Sequence, residues 1–569
     1  MKLPIGKSNF KSLREDNCYY VDKTREIIEF FNLSGDIILM PRPRRFGKTL
    51  FLSTLYYFFN NLEQNEKLFA NTYIYGTDFF KQHAGRYPVI FLTFKDVRGN
   101  SFDRMLIGVK DEIDRIFFKY HHSIDLTRID GLEKEKQTFY KVIKQEATIS
   151  DYEKSIKHLS ILLRKYYERE VIILIDEYDT PIITGYLKGY YDDAIEFFRN
   201  LFGAAFKDND VNVKKALITG ILRISGESMF SGLNNVDNLT ILVNEMSTAC
   251  GFTEDEVKQL LSDCGYQGEA IDKAIKMYNG YIFGDNTTIF NPWSIINYAD
   301  KGQWKPYWAN TSSNDLIKDL IKKSRDFRDE LDRILRGEPV DVRVNENLTF
   351  KDSELYQKDN IFSFLFFSGY LKCKEKYYKR IKDRDYLYCK MIPTNVECEM
   401  IFDDIISSYV KERFYNQELE KVLKSLVRGD LKEFEKRFSY LLRDTLSYHD
   451  IGVEGAYHTF LLGLLLNLSD YEILSNPESG YGRVDVMILH KEDKTKPAIV
   501  IELKKIDEFE EETKDKALEN AVKQIKEKEY MALARKRGYE NIIAFGLVFD
   551  GKRCWIRDAG REVKEAQEA

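Results

Sequence analysis

Residues 36–59, DIILMPRPRRFGKTLFLSTLYYFF, constrain the fold more than any other stretch of this chain. A short apolar run, a loop rich in arginine and proline, and a longer apolar run read as strand, loop and helix. Gly47, Lys48 and Thr49 stand at the loop-to-helix junction, where backbone amides and the helix terminus favour a phosphate group. A lysine there reaches the β and γ phosphates, and the hydroxyl of Thr49 is suited to Mg²⁺. The usual spacing puts a first glycine at position 42, but Arg42 stands there among Pro41, Pro43, Arg44 and Arg45. Three more apolar, β-branched runs follow: YPVIFLTF at 87–94, VIILIDEYD at 171–179 and KKALITGILRI at 214–224. Longer helical patterns separate them, which predicts an α/β fold with a mostly parallel sheet and helices on both faces.

VIILIDEYD supplies the partners that a phosphate loop needs. Asp176, at the end of an apolar strand, is placed to hold Mg²⁺ through water, and Glu177 to polarise an attacking water. Thr219 stands at the next strand end, where it would sense the γ-phosphate. Arg223 would neutralise phosphate charge in cis or across a subunit contact, so a homo-oligomer is among the expected assemblies. Arg45 joins the expected nucleotide contacts, and Asp179 is expected to stabilise the loop after the acidic strand.

PRRFGKT, LIDEYD, ITGILRIS and the opening IGKSNFKSLREDNCYYVDKT together resemble the AAA-ATPase-like proteins of bacteria and archaea, a divergent P-loop family. The resemblance spans roughly residues 5–300, and the arginine and proline in place of the first loop glycine look like a habit of that family. It implies ATP with Mg²⁺, carried onto Lys48, Thr49, Asp176 and Glu177.

A second constellation lies near the C-terminal end, in SGYGRVDVMILHKEDKTKPAIVIELKK. Asp485 is read inside the apolar strand RVDVMIL, and Glu502 follows the apolar AIVI. Lys504, two residues on, shares its strand face. A hairpin would bring Asp485 and Glu502 together, and a divalent cation would relieve their repulsion; Mg²⁺ or Mn²⁺ suits such oxygen ligands. Lys504 would then orient or deprotonate the water attacking a phosphodiester. Glu454, at the start of VEGAYHTFLLGLLLNL, is a further metal ligand candidate. His458 lies one turn on and reads first as a polar cap to that helix, second as a ligand. On the charged helix ALENAVKQIKEKEY, Gln524 is placed to bind a phosphate or order the metal shell, and Tyr530 to pack. GRVD, IVIELK and the Gln524 helix together resemble the PD-(D/E)XK nuclease superfamily over roughly 450–560, with Val484-Asp485 where that superfamily has proline-aspartate. This implies a restriction-endonuclease-like α/β domain.

The expected domains are a P-loop domain at 1–250, a helical lid-like region at 251–345, a connecting region at 346–430 and the nuclease-like domain at 431–569. Thr253 and Glu256 form a capping box at a helix start. FSFLFFSGYLKC and YLYCKMI are read as strands around the polar turn of KEKYYKRIKDRDYLY. A formal net charge of -6 supplies no global field for nucleic acid, and basic and acidic residues balance over 480–569, so such a partner needs a local basic groove. ARKRG reads as a solvated helix end rather than a phosphate strip. Seven scattered cysteines suit a reducing compartment. Neither an apolar signal core nor a run of 18 apolar residues occurs, so a cytoplasmic protein without a membrane partner is expected. Two functions compete. One is an ATPase controlling a nuclease that cuts nucleic acid, DNA rather than RNA. The other is a regulatory ATPase whose C-terminal module binds nucleic acid or protein without cutting.

Overall fold

Apolar runs bounded by turn-forming residues become buried strands, and in the first half of the chain they pair in parallel. The computed structural model describes residues 2–223, 236–308, 338–348, 357–402, 416–445, 454–506, 513–551 and 553–562, with four isolated positions between 324 and 334. The chain divides into two compact units, one of residues 1–312 and 341–398, the other of 313–340 and 399–569.

In the first unit, β1 (Ile37–Leu39), β2 (Val89–Thr93), β3 (Val171–Asp176), β4 (Val213–Ile218) and β5 (Val236–Asn238) form one sheet in the order β2-β3-β4-β1-β5. Every pairing in it is parallel. β3 is buried along its whole length, as the centre of such a sheet demands. The chain leaves β1 for β2 at the far edge and returns through β3 to β4, so the C-terminal ends of β3 and β1 flank that of β4. Ligands of open α/β sheets bind at such strand ends.

A smaller antiparallel sheet follows: β6 (Phe252–Thr253), β7 (Tyr281–Phe283) and β8 (Thr287–Phe290), ordered β6-β8-β7. Thr253 caps helix Glu254–Asp263, and Glu256 returns the bond in a capping box. The stretch FSFLFF is helical, not extended: helix Lys358–Phe367 is buried from Asn360 to Phe367. Burial on every side erases the period that separates a helix from a strand, which is why the run misleads. Gly369, left-handed at φ 92°, ends it and releases the strand β10. β9 (Val340–Arg343), β10 (Leu371–Ile381) and β11 (Arg384–Pro393) form a third sheet in the order β10-β11-β9.

The second unit contains β12 (Tyr471–Ser475), the short ribbon β13 (Glu478–Ser479) and β14 (Gly482–Arg483), then β15 (Val486–His490), β16 (Ala498–Lys505), β17 (Ile542–Asp550) and β18 (Arg553–Glu562). Its five-stranded sheet runs β12-β15-β16-β17-β18 and is mixed, since only β16 and β17 are parallel. Alternation sorts its two faces. Ile499, Ile501 and Leu503 pack with Leu461 and Leu465 of helix Glu454–Leu465. Ala498 and Val500 face the other way, toward Ile525 of helix Lys514–Glu527 and Tyr530. No described helix is long and apolar enough to cross a membrane.

Candidate functional sites

Gly47 adopts a left-handed conformation, φ 87°, and is the N-cap of helix Lys48–Phe59, whose first turn no side chain caps. Its amides therefore face outward, the geometry that accepts an anion. Lys48 is buried and donates to the carbonyl oxygens of Arg42 and Pro43, both at 2.9 Å. Burial pulls its pKa below the usual lysine value, against the opposing pull of Glu177 and Asp176.

Arg42 is not a phosphate contact. Its guanidinium is buried, donates to the carbonyls of Pro41 (2.9 Å), Leu239 (2.6 Å) and Met246 (3.1 Å), and lies 5.2 Å from the centre of the Phe283 ring. The arginine at the usual glycine position thus pins the loop to the end of β5. Arg45, left-handed at φ 67°, is exposed and sits 4.6 Å over Trp293.

Asp176 is fully buried at the end of β3. Its carboxylate accepts from Thr49 Oγ1 at 2.7 Å, Thr219 Oγ1 at 3.0 Å and Thr93 Oγ1 at 3.4 Å. Burial, with the neighbouring Glu177, raises its pKa. Glu177 is left-handed, φ 51°, so the chain turns sharply there; its carboxylate accepts from Thr180 Oγ1 at 3.1 Å. Such a conformation costs about 1 kcal/mol in a non-glycine residue and gathers at working sites. Asp179 binds the amides of Ile221 (2.7 Å) and Leu222 (3.1 Å), and burial pushes its pKa up to about 6. A Cβ on Gly220 would lie 2.6 Å from that carboxylate, so glycine is needed beside it. Arg223 is half-buried and makes no ion pair with the acidic residues of the site among the described residues.

A cavity of about 480 Å³ opens over this loop. Arg45, Gly47, Lys48, Thr49 and Glu177 line it, while Asp176 and Thr219 stand behind Thr49. Seven lining residues are lysine or arginine and two are acidic, a balance suited to a polyphosphate. Lys95 and Arg98, after β2, and Lys23 belong to this set; as isolated cations in the sequence they carry no signal. Tyr19, Val21, Phe252 and Trp293 supply apolar walls. The donor set fits a nucleotide with Mg²⁺: an ammonium and open amides for phosphates, and only oxygens, from Thr49 and Asp176, for the cation.

In the second unit, Val486 pairs with Ile501 across the antiparallel strands. Asp485 lies in the bend just before β15, not within the strand, and so meets β16 at the level of Glu502. Its Oδ2 accepts the amide of Leu503 at 2.7 Å. The carboxyl of Glu502 is buried, and Lys504 Nζ lies 3.7 Å from its Oε1 on the same face. Gln524 Nε2 donates to Tyr530 Oη at 3.0 Å. Tyr530 packs in the core with Ile525 and Ala534; burial raises its pKa most, and the charges of Glu502 and Asp485 add to that rise. The buried ring of His458 donates from Nε2 to the carbonyl of Asp485 at 3.2 Å and so fixes the bend. Glu454 opens its helix, but its side chain lies outside the described residues. Arg537, from the ARKRG stretch, pairs with Glu472 at 2.6 Å.

Gly546 lies opposite Glu502 on β17, and a Cβ there would come within 2.6 Å of the Ala521 Cβ. Glycine thus admits the Gln524 helix close against the sheet beside Glu502. Two carboxylates, a lysine, an amide and a phenol therefore share one region, and the carboxylate oxygens suit a hard divalent cation held partly by water. Among the described residues, no group of three or more His, Cys, Asp or Glu side chains is arranged to hold a metal.

Residues 4–230 match the family model described as "Predicted AAA-ATPase", AAA-ATPase-like, and residues 452–559 match that of the PD-(D/E)XK nuclease superfamily. A relative from Azotobacter chroococcum mcd 1, named as an uncharacterized protein in the vnfD 5' region, is 28% identical over 337 residues. The match covers 59% of this chain and 58% of the length of that relative.

Proposed function

We propose that this chain, which carries an AAA-ATPase-like domain at 4–230 and a PD-(D/E)XK nuclease superfamily domain at 452–559, binds and hydrolyses ATP and thereby controls a divalent-cation-dependent nuclease. In the first unit Lys48 and the open amides of its helix hold phosphates, Arg45 screens them, and Thr49 and Asp176 hold Mg²⁺. Glu177 takes a proton from water, with Thr219 and Arg223 reading the γ-phosphate. Nucleic acid, DNA before RNA, is the substrate of the second unit.

There Asp485 and Glu502 would hold the cation, with Glu454 as a third ligand. A bound Mg²⁺ or Mn²⁺ supplies Lewis acidity and an acidified water at neutral pH. Lys504 would orient the attacking water and offset charge developing on the phosphate, Gln524 would order the phosphate, and Tyr530 fixes Gln524. His458 holds the main chain of Asp485. The observation that carries this reading is the register of β15 on β16, which brings Asp485 to Glu502 with Lys504 beside it.

The test is cleavage of single- and double-stranded DNA and RNA with Mg²⁺ or Mn²⁺, with and without ATP. Wild type should cut and Glu502→Ala should not, while its ATP affinity stays unchanged. Lys48→Ala should lose ATP binding and nucleotide control of cutting. A second reading, a regulatory ATPase whose C-terminal module binds without cutting, is favoured by the equal balance of basic and acidic residues over 480–569, which supplies no field for a nucleic-acid substrate. It replaces the first if purified wild type cuts nothing under either metal.

A further inference from the structure

Neither site uses the sheet β10-β11-β9. Its hairpin turns at Lys382 and Asp383, both left-handed (φ 46° and 62°), a two-residue turn whose twist matches antiparallel strands. The turn sets Ile381 opposite Arg384, and that register sorts the side chains by face. One face buries Val342, Cys389 and Met391. The other sets Tyr377 opposite Tyr388 and Lys379 opposite Tyr386, with Asp341 and Arg343 of β9 alongside.

On that outer face the rings of Tyr377 and Tyr388 stack, with centroids 5.7 Å apart and planes inclined by 20°. The Arg343 guanidinium lies 3.7 Å from the centre of the Tyr386 ring. Residues 371–393 hold eight lysines and arginines against three acidic residues, in a chain whose net charge is -6. Two of those acids are already engaged, Asp385 by Arg380 and Glu375 by Lys390. Lys379, Lys382 and Arg384 are exposed along the outer half of the hairpin.

We propose that this face binds an unpaired stretch of DNA. Bases stack on Tyr377, Tyr386, Tyr388 and the Arg343 plane, while Lys379, Lys382 and Arg384 meet the phosphates. Aromatic and guanidinium planes can reach a base only when it has left its own stack, so a duplex does not fit. Asp341 is engaged by the Tyr377 hydroxyl at 2.6 Å, and Glu375 by Lys390 at 2.7 Å. Recognition is thus left to stacking and phosphate contacts, all of which a DNA strand supplies. The inference rests on nucleic acid being the substrate of this protein, and it adds which form is held and by which surface.

The test uses the full chain in chelator, where cleavage is silent, and fluorescence anisotropy with labelled oligothymidylate, a DNA duplex and oligouridylate. Oligothymidylate should bind most tightly. Tyr386→Ala and Tyr388→Ala should each weaken it about tenfold, the scale of one base–aromatic stack. Tyr388→Phe, which keeps the ring, should bind as wild type does. Lys379→Glu with Arg384→Glu should weaken binding and flatten its salt dependence. Equal or tighter binding of duplex or RNA, wild-type affinity in the ring and charge variants, or no binding by wild type would each overturn the proposal. Restoring Mg²⁺ separates this failure from that of the nuclease reading. Cutting that survives in variants of unchanged affinity removes the sheet face alone. Binding lost with the tyrosines in a protein that never cuts upholds the face and removes the nuclease.

Discussion

A guanidinium withdrawn from water needs acceptors, and Arg42 takes them from the main chain at Pro41, Leu239 and Met246. Arg42→Ala strands two distant carbonyls and opens a void beside Phe283; the expected loss is about 3 kcal/mol, read from urea denaturation midpoints. Restoring the usual glycine should cost more than alanine, because the freed loop also gains entropy when unfolded. A glutamate in the same unit makes a pH prediction. Glu397 is fully buried, accepts from Ser294 Oγ at 2.8 Å and from the Trp308 amide at 2.7 Å, and burial pushes its pKa up to about 7. Its ordinary value is 4.5, so between the two the folded chain holds the extra proton and stability falls as pH rises, levelling above about pH 7. Melting curves from pH 5 to 8 should show that fall, and Glu397→Gln should flatten it. Lys48 and Thr49 were legible because a glycine, a cation and a hydroxyl in strand-to-helix context have few other uses. Arg42 was not, because what it touches is set by segments far away in sequence.

At the scale of elements, strands were readable where flanking turns bounded them and ambiguous where burial removed the period. The apolar runs of β1 to β4 carry their type and order. FSFLFF does not, since a helix wrapped by neighbours and a central strand present the same unbroken apolar string. The approach of Asp485 to Glu502 follows from the antiparallel register of two neighbouring strands, whereas the bend that takes Asp485 out of β15 is held by the carbonyl contact of His458. Helix Lys514–Glu527 reaches the sheet only because residue 546 lacks a side chain. Gly546→Ala forces a contact of 2.6 Å with Ala521, so the helix must lift. The expected cost is about 1–3 kcal/mol, with Gln524 drawn away from Tyr530 and cleavage reduced. Pairing it with Ala521→Gly should recover much of the loss, less up to about 1 kcal/mol for glycine inside a helix. A double-mutant cycle in urea measures the coupling; simple additivity would show that the approach of helix to sheet at this point is not what glycine secures.

At the scale of the molecule, each unit has a hydrophobic core of its own, and the chain passes between the units three times. Separate cores predict two thermal transitions by calorimetry. Mg²⁺ and ATP should raise the one belonging to the loop cavity, by about 2.7 kcal/mol at a hundredfold excess over Kd. Lys48→Ala should abolish that shift and Glu502→Ala should not. Control of cutting by nucleotide asks for more than a shared chain: it needs a coupling free energy between the sites, and coupling in binding is reciprocal. Whatever factor ATP applies to the affinity for DNA, DNA must apply to the affinity for ATP. Titrating each ligand with and without the other, in chelator-free buffer with Ca²⁺ to suppress cutting, measures both factors. Equal factors of about five or more uphold nucleotide control. Factors of one would mean that the two units are carried together without either governing the other, whatever each does alone.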